Sequence, residues 1–209
     1  MRALLLLVAS MAPAEILDRV AVSIERQVIT ATDIDREIKV VAFLNGEVSS
    51  FTPENRRNTA DKLVEQTLIR REIEVSRYVG AQTDAAIGYQ EFRKARYTQD
   101  ADYQRALKQA GIEDADVRKA FEWQRTLLEF IDIRFRPGIQ VPEAEIRDYY
   151  DGELTLEAKS KNQPLPSFDD ARRSIEAVLL SRRVDNAVDR WLGQVRTQVQ
   201  IRYREEVFK

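Results

Sequence analysis

One stretch of the chain, running from Asp114 to Phe135, limits the fold more than any other feature of the sequence. Its inward positions alternate spacings of four and three residues, at Val117, Phe121, Gln124, Leu128, Ile131 and Phe135. This spacing predicts one face of an α-helix that begins near Asp114 and ends at Arg136-Pro137-Gly138. Because only 7 glycines and 6 prolines occur among 209 residues, the whole chain is predicted to be mainly α-helical.

Start and stop signals predict the other helices. Their predicted bounds, in chain order, are Thr32 to Gly46, Thr52 to Gly80, a helix capped by Thr83-Asp84, Asp100 to Ala110, Pro142 to Tyr150, and a long last helix from Ser167. Asp151-Gly152 is predicted to end or kink the helix before it. The polar segment 155–167 contains two prolines and is predicted to be a loop.

Alternating apolar residues predict a small β element at the two ends of the chain. Val20, Val22 and Ile24 alternate with small residues, and Val28-Ile29-Thr30 resumes after a three-residue interruption, which predicts a hairpin. Val199, Ile201 and Tyr203 alternate in the same way and predict a closing strand.

The first 14 residues have the three parts of a secretory signal peptide. Met1-Arg2 is basic, Leu4 to Ala9 is an apolar run, and Ala12-Pro13-Ala14 is a small-residue cleavage site. The run is far shorter than the ~20 residues that a membrane-spanning helix needs. We therefore expect an exported, periplasmic protein without a stable membrane span.

Composition excludes several classes of chemistry. The chain contains neither histidine nor cysteine, so Ser-His and Cys-His catalysis and Cys-ligated zinc are excluded. A net charge of −2 argues against non-specific nucleic-acid binding. The acids at Asp33, Asp35 and Glu37 lack the glycine of a calcium loop, and those at 148–153 are typical of a solvated helix end. We predict no catalytic residue, no metal and no cofactor.

Five aromatic side chains are candidates for lining a groove that binds extended apolar polypeptides. They are Phe92, Trp123, Phe130, Tyr149 and Tyr150. Packing in the hydrophobic core is the alternative for each of them, because most lie on apolar helix faces.

Three segments resemble the SurA-, PpiD- and PrsA-type chaperones. The first is ILDRVAVSIERQVIT followed by Thr32-Asp33-Ile34-Asp35, and the second is VPEAEIRDYY at 141–150. The third runs from Ser167-Phe168-Asp169-Asp170 through Trp191-Leu192 to Val199–Tyr203. In the family a parvulin isomerase domain lies between the second and third segments. Here 151–166 is too short for a domain.

The resemblance implies a multi-helix chaperone module that has lost its isomerase domain. Its parts are a helical N-terminal region at 15–136, a linker with a short helix at 137–166, and a C-terminal helix and strand at 167–209 that pack back on the first region. Because the N- and C-terminal segments must pack together to complete the module, helix exchange between two copies could give a homodimer.

The implied function is that of an ATP-independent periplasmic holdase for unfolded or outer-membrane polypeptides, without isomerase activity. The alternative is a structural or adaptor protein that docks one dedicated envelope partner. The third hypothesis is residual isomerase activity, which membership of the resembled family would suggest.

Overall fold

The computed structural model describes residues 18–76 and 82–209. The predicted signal peptide and the predicted helix end at Gly80 lie outside these residues. The strands are β1 Val20–Ile24, β2 Gln27–Thr30 and β3 Ile201–Tyr203. The helices are α1 Ala31–Asn45, α2 Pro53–Ser76, α3 Gln82–Arg96, α4 Asp100–Ala110, α5 Asp114–Arg134, α6 Glu143–Tyr149, α7 Thr155–Ser160 and α8 Phe168–Gln198. The predicted fold class, mainly α with a small β element, is confirmed.

The β element joins the two ends of the chain. β1 pairs antiparallel with β2 on one side and with β3 on the other, so that Val22 lies opposite both Ile29 and Tyr203. The hairpin turn is made by Glu25-Arg26, and Glu25 adopts a φ of 49° without being glycine or asparagine. Both the hairpin and the closing strand were predicted by their alternating residues, and both are confirmed.

The chain beyond β3 is anchored in the same core. The Tyr203 hydroxyl donates to Asp61 Oδ1 on α2 at 2.5 Å, and burial raises the pKa of Tyr203 to about 12, with this hydrogen bond adding to the shift. Val207 and Phe208 are buried among residues of β1, α1 and α2. The N- and C-terminal segments therefore share one hydrophobic cluster.

The cap of α1 differs from the prediction. Thr30, not Thr32, is the N-cap, since its hydroxyl accepts from the Asp33 amide at 3.2 Å while Asp33 Oδ2 accepts from the Thr30 amide at 3.0 Å. This reciprocal pair satisfies two amides that the helix leaves unpaired. β2 consequently passes into α1 without a loop. The predicted end of α1 is confirmed, because Gly46 closes it with a φ of 74°.

The third predicted helix also begins earlier than expected. α3 starts at Gln82, which puts Thr83-Asp84 inside its first turn instead of at its cap. The bounds predicted for α4, α5 and the start of α8 are confirmed. At α8, the Ser167 hydroxyl accepts from the Asp170 amide.

The loop predicted at 155–167 is confirmed over 161–167 and wrong over 155–160, where α7 forms. α6 continues through a π-helical turn, Tyr150–Leu154, into α7, and only 161–167 is non-helical. The wider turn contains Gly152, and the Thr155 hydroxyl donates to the Tyr150 carbonyl at 2.8 Å. The two prolines act only after Ser160, because both lie in the short connection to α8.

α8 connects two parts of the molecule. Its N-terminal half packs against α6 around Ile146 and Ile175, and its C-terminal half packs against α2 and α5 around Ile69, Phe130 and Leu192. A further cluster joins the end of α1 to α3, α4 and α5. Within residues 18–76 and 82–209, no helix has the length and apolar character to cross a membrane.

Candidate functional site

A groove opens where α1, α2 and α5 meet, and we call it the three-helix groove. Its volume is about 280 Å³, and its lining residues are Arg36, Glu37, Val40, Val41, Leu44, Gln66, Arg70, Asp116, Lys119, Ala120, Trp123 and Gln124. On each helix these residues recur at spacings of three and four, so that each helix presents one continuous edge to the groove.

The apolar edge of α1 exists because its other faces are already occupied. Ile34 and Ile38 face the sheet, and Val40 and Phe43 pack toward α3 and α4. Val41 is left on the remaining face with 41% of its surface exposed. Val41 is therefore an apolar side chain of the lining that none of these clusters covers, whereas Leu44 and Trp123 are half-buried against them.

Trp123 forms part of the opposite wall. It is half-buried, and one side of it packs against the cluster around Ile69 and Phe130. The guanidinium carbon of Arg70 lies 4.1 Å from the centre of its ring. A cation held over an indole face contributes about 0.5–1 kcal/mol at an exposed site, so Arg70 holds the ring in place.

Glu37 lies deeper in the groove than its neighbouring cations. Burial raises the pKa of the Glu37 carboxyl, while the Gln66 amide and the positive charges of Arg70 and Lys62 act in the opposite direction. The Gln66 amide nitrogen donates to Glu37 Oε1 over a long 3.4 Å. The carboxylate is thus only weakly hydrogen-bonded by its protein partners.

Arg36 spans the end of the groove between α1 and α5. Its guanidinium is 3.5 Å from Asp33 on its own helix and 3.9 Å from Asp116 on α5. Its side chain is 51% exposed, whereas that of Asp116 is 16% exposed. An exposed arginine therefore covers a recessed carboxylate.

Among the five aromatic candidates, only Trp123 lines this groove. Phe92 is half-buried, with its ring centre 6.1 Å from Phe43 and 5.5 Å from Phe121. Tyr149 and Tyr150 lie on the α6 side of α8, where the Tyr150 hydroxyl donates to the Pro166 carbonyl at 2.7 Å. The five side chains are therefore not brought together.

Phe130 was a candidate for lining a binding groove, but it lies in the hydrophobic core. It is 1% exposed and packs between Phe135 and Trp191 at the junction of α2, α5 and α8. The side of α5 that carries Phe130 faces Ile69 of α2 and Leu192 of α8, so Phe130 is part of that core. Packing, the alternative stated for it, accounts for its position.

A wider cavity of about 700 Å³ lies at the ends of α1 and α4. One of its cations is engaged with a helix end, since Arg96 donates to the Phe43 carbonyl at 3.2 Å and cations favour the carbonyl end of a helix. Across residues 18–76 and 82–209, no cluster of three or more acidic side chains is placed to share a metal ion.

Sequence reasoning missed most of the groove. Val41 and Leu44 come from α1, Arg70 from α2 and Trp123 from α5, and no motif links these segments. Comparison of the sequence with protein-family models and with curated proteins finds no match.

Proposed function

We propose that this protein is an ATP-independent holdase that binds unfolded or outer-membrane polypeptides in the periplasm or another exported compartment. The observation that carries the proposal is the three-helix groove, where exposed Val41 lies in the same lining as Leu44 and Trp123. A holdase needs apolar surface that is open to solvent and needs no catalytic group.

The size of the groove suits one or two side chains of a peptide. Its volume of about 280 Å³ lies just below the range of about 300–1,000 Å³ that is usual for small-molecule sites. An extended chain that places one or two apolar side chains there leaves the rest of its backbone in water. Such contacts give weak, sequence-tolerant binding.

Two sequence features support the proposed location and the proposed absence of isomerase activity. The apolar run before Ala12-Pro13-Ala14 has the order of a secretory signal. The segment 151–166, where the resembled family carries its isomerase domain, consists here of a π-helical turn, the short α7 and a connection to α8.

Val41→Asp tests the proposal directly. A carboxylate in the groove should abolish most of the protein's ability to slow aggregation of a urea-unfolded β-barrel protein, because apolar side chains would then meet a charge. Light scattering on dilution from urea, with the chaperone at modest molar excess, measures this.

Val178→Asp is the matched control. Val178 lies on α8 outside the groove and is 39% exposed, close to the 41% of Val41. Its substitution should leave aggregation suppression unchanged. Equal loss in both variants, or no suppression by the unsubstituted protein at any ratio, would reject the proposal.

A proline-peptide isomerisation assay should read the uncatalysed rate. A rate clearly above background would reject the proposed loss of isomerase activity. A pull-down that returns one stoichiometric envelope protein, instead of many unfolded ones, would favour the adaptor alternative.

A further inference from the structure

The cations that line the three-helix groove are exposed, whereas its carboxylates are recessed. Each of the three helices places one exposed cation at the rim, namely Arg36 from α1, Arg70 from α2 and Lys119 from α5. The two carboxylates of the lining, Glu37 and Asp116, are both recessed. Within the lining, the cations are therefore more exposed than the carboxylates, although the chain as a whole carries a net charge of −2.

The recessed acids are partly compensated within the protein. Asp116 faces Arg36, and Glu37 is influenced by Arg70 and Lys62. Exposed charges interact over roughly 10 Å at moderate salt, so the rim cations act on residues that flank a bound side chain. Those flanking residues remain in water, where opposite charges attract at little desolvation cost.

We infer that the groove selects apolar segments flanked by aspartate or glutamate over the same segments flanked by lysine or arginine. This inference rests on the proposed function and specifies which clients the groove takes. Asp33 beside Arg36 and Glu74 beside Arg70 offset part of the rim charge. The lining still has three cations against two carboxylates, and this positive excess repels basic flanks and complements acidic ones.

Three synthetic peptides test the selection. They share one apolar core and differ only in flanks of aspartate, serine or lysine, and each carries a fluorophore for anisotropy titration with the full chain. At low salt we expect the aspartate-flanked peptide to bind about fivefold more tightly than the lysine-flanked one, with serine between them. Salt should reduce this ratio.

Lys119→Glu should lower the ratio of affinities at least about threefold, because it reverses one exposed rim charge. Lys209→Glu makes the same charge change at an exposed position outside the groove and should leave the ratio unchanged. Circular dichroism confirms that both variants are folded.

The outcomes distinguish failure of the inferred flank selection from failure of the proposed function. Equal binding of all three peptides, or preference for lysine flanks, overturns the inference and leaves the proposed function standing. Absence of binding by all three peptides overturns both. If peptide affinity falls as protein concentration rises, a second copy of the protein occupies the groove. If peptides bind only after Leu4–Leu7 are replaced by serine, the chain's own first residues occupy it. Either result overturns the inference.

Discussion

Asp114→Ala should destabilise the protein far more than the removal of an ordinary surface carboxylate. Asp114 begins α5, and its Oδ1 accepts hydrogen bonds from the hydroxyls of Tyr89 on α3 and Tyr103 on α4, the latter at 2.7 Å. The two tyrosines are 2% and 0% exposed. One carboxylate therefore joins three helices around buried phenols.

The magnitude follows from what the substitution leaves behind. A hydrogen bond to a charged group contributes about 1.5–3 kcal/mol, and a buried donor without an acceptor costs about 1–3 kcal/mol. Asp114→Ala removes the acceptor of two such donors. Because the Asp114 side chain is 31% exposed, water reaches part of the site, and we expect a loss of about 2–4 kcal/mol in the free energy of unfolding.

Urea denaturation followed by circular dichroism measures this loss. Asp132→Ala is the matched control, since Asp132 pairs with Arg136 four residues later, as Asp114 does with Arg118, but at 56% exposure. The control should cost less than about 1 kcal/mol. In a Tyr89→Phe/Tyr103→Phe background, Asp114→Ala should also cost less than about 1 kcal/mol, because no phenol is left unpaired. Equal losses at 114 and 132 would refute the reasoning.

The same carboxylate predicts an acid dependence. Burial acts to raise the pKa of Asp114, but the hydrogen bonds from Tyr89, Tyr103 and Arg118 outweigh it and hold the pKa below 3.8. A lowered folded-state pKa contributes stability that is present above the unfolded value and lost as pH falls through the folded one. Asp114→Asn should therefore flatten the loss of stability below about pH 4.

Two further substitutions test other parts of the structure. Glu37→Gln should raise the free energy of unfolding at pH 7 by less than about 1 kcal/mol. Burial raises the pKa of Glu37, so the stability that this shift contributes is lost as pH rises through the folded-state pKa. Urea titrations should therefore show the stability gain of the variant shrinking toward pH 4. An unchanged gain at both pH values would contradict this sign. Phe208→Ala should lower the free energy of unfolding by about 3–5 kcal/mol, measured by thermal unfolding. Phe208 is 5% exposed in the core that the N- and C-terminal segments share. A loss no larger than that of Lys209→Ala would show that the C-terminal segment is not held in this core.

Helix ends were predictable where the signal is local. Ser167 and Gly111 act through hydrogen bonds to residues within one turn, so the sequence around them contains the whole interaction. The cap of α1 was misplaced because two threonines lie close together, and only the strand geometry selects Thr30. α7 was missed because Asp151-Gly152 was predicted to end or kink the helix, and the polar segment after it, with its two prolines, was predicted to be a loop. A π-helical turn carries the helix past Gly152.

The groove was predictable only in part. Trp123 was identified as a candidate because it is a large aromatic beside the seam of α5, but the same reasoning selected Phe130, which is buried. The difference depends on which neighbour each residue faces, and that is set by α2 and α8. Arg70 lies 53 positions before Trp123 in the numbering, and only the packing of α2 against α5 brings it over the ring.

Binding and stability should be separable in this protein because each wall of the groove is held by a core on another side. α1 is held by the sheet cluster and by Val40 and Phe43 on its α4 side, and α5 is held by Phe130 on its α8 side. Val41 can therefore stay open to solvent without a loss of folding energy, since it belongs to none of these clusters, whereas Leu44 and Trp123 pack against them. It follows that Val41→Asp should change the free energy of unfolding by less than about 1 kcal/mol, whereas a cost comparable to that of a buried apolar residue would mean that the groove closes in solution.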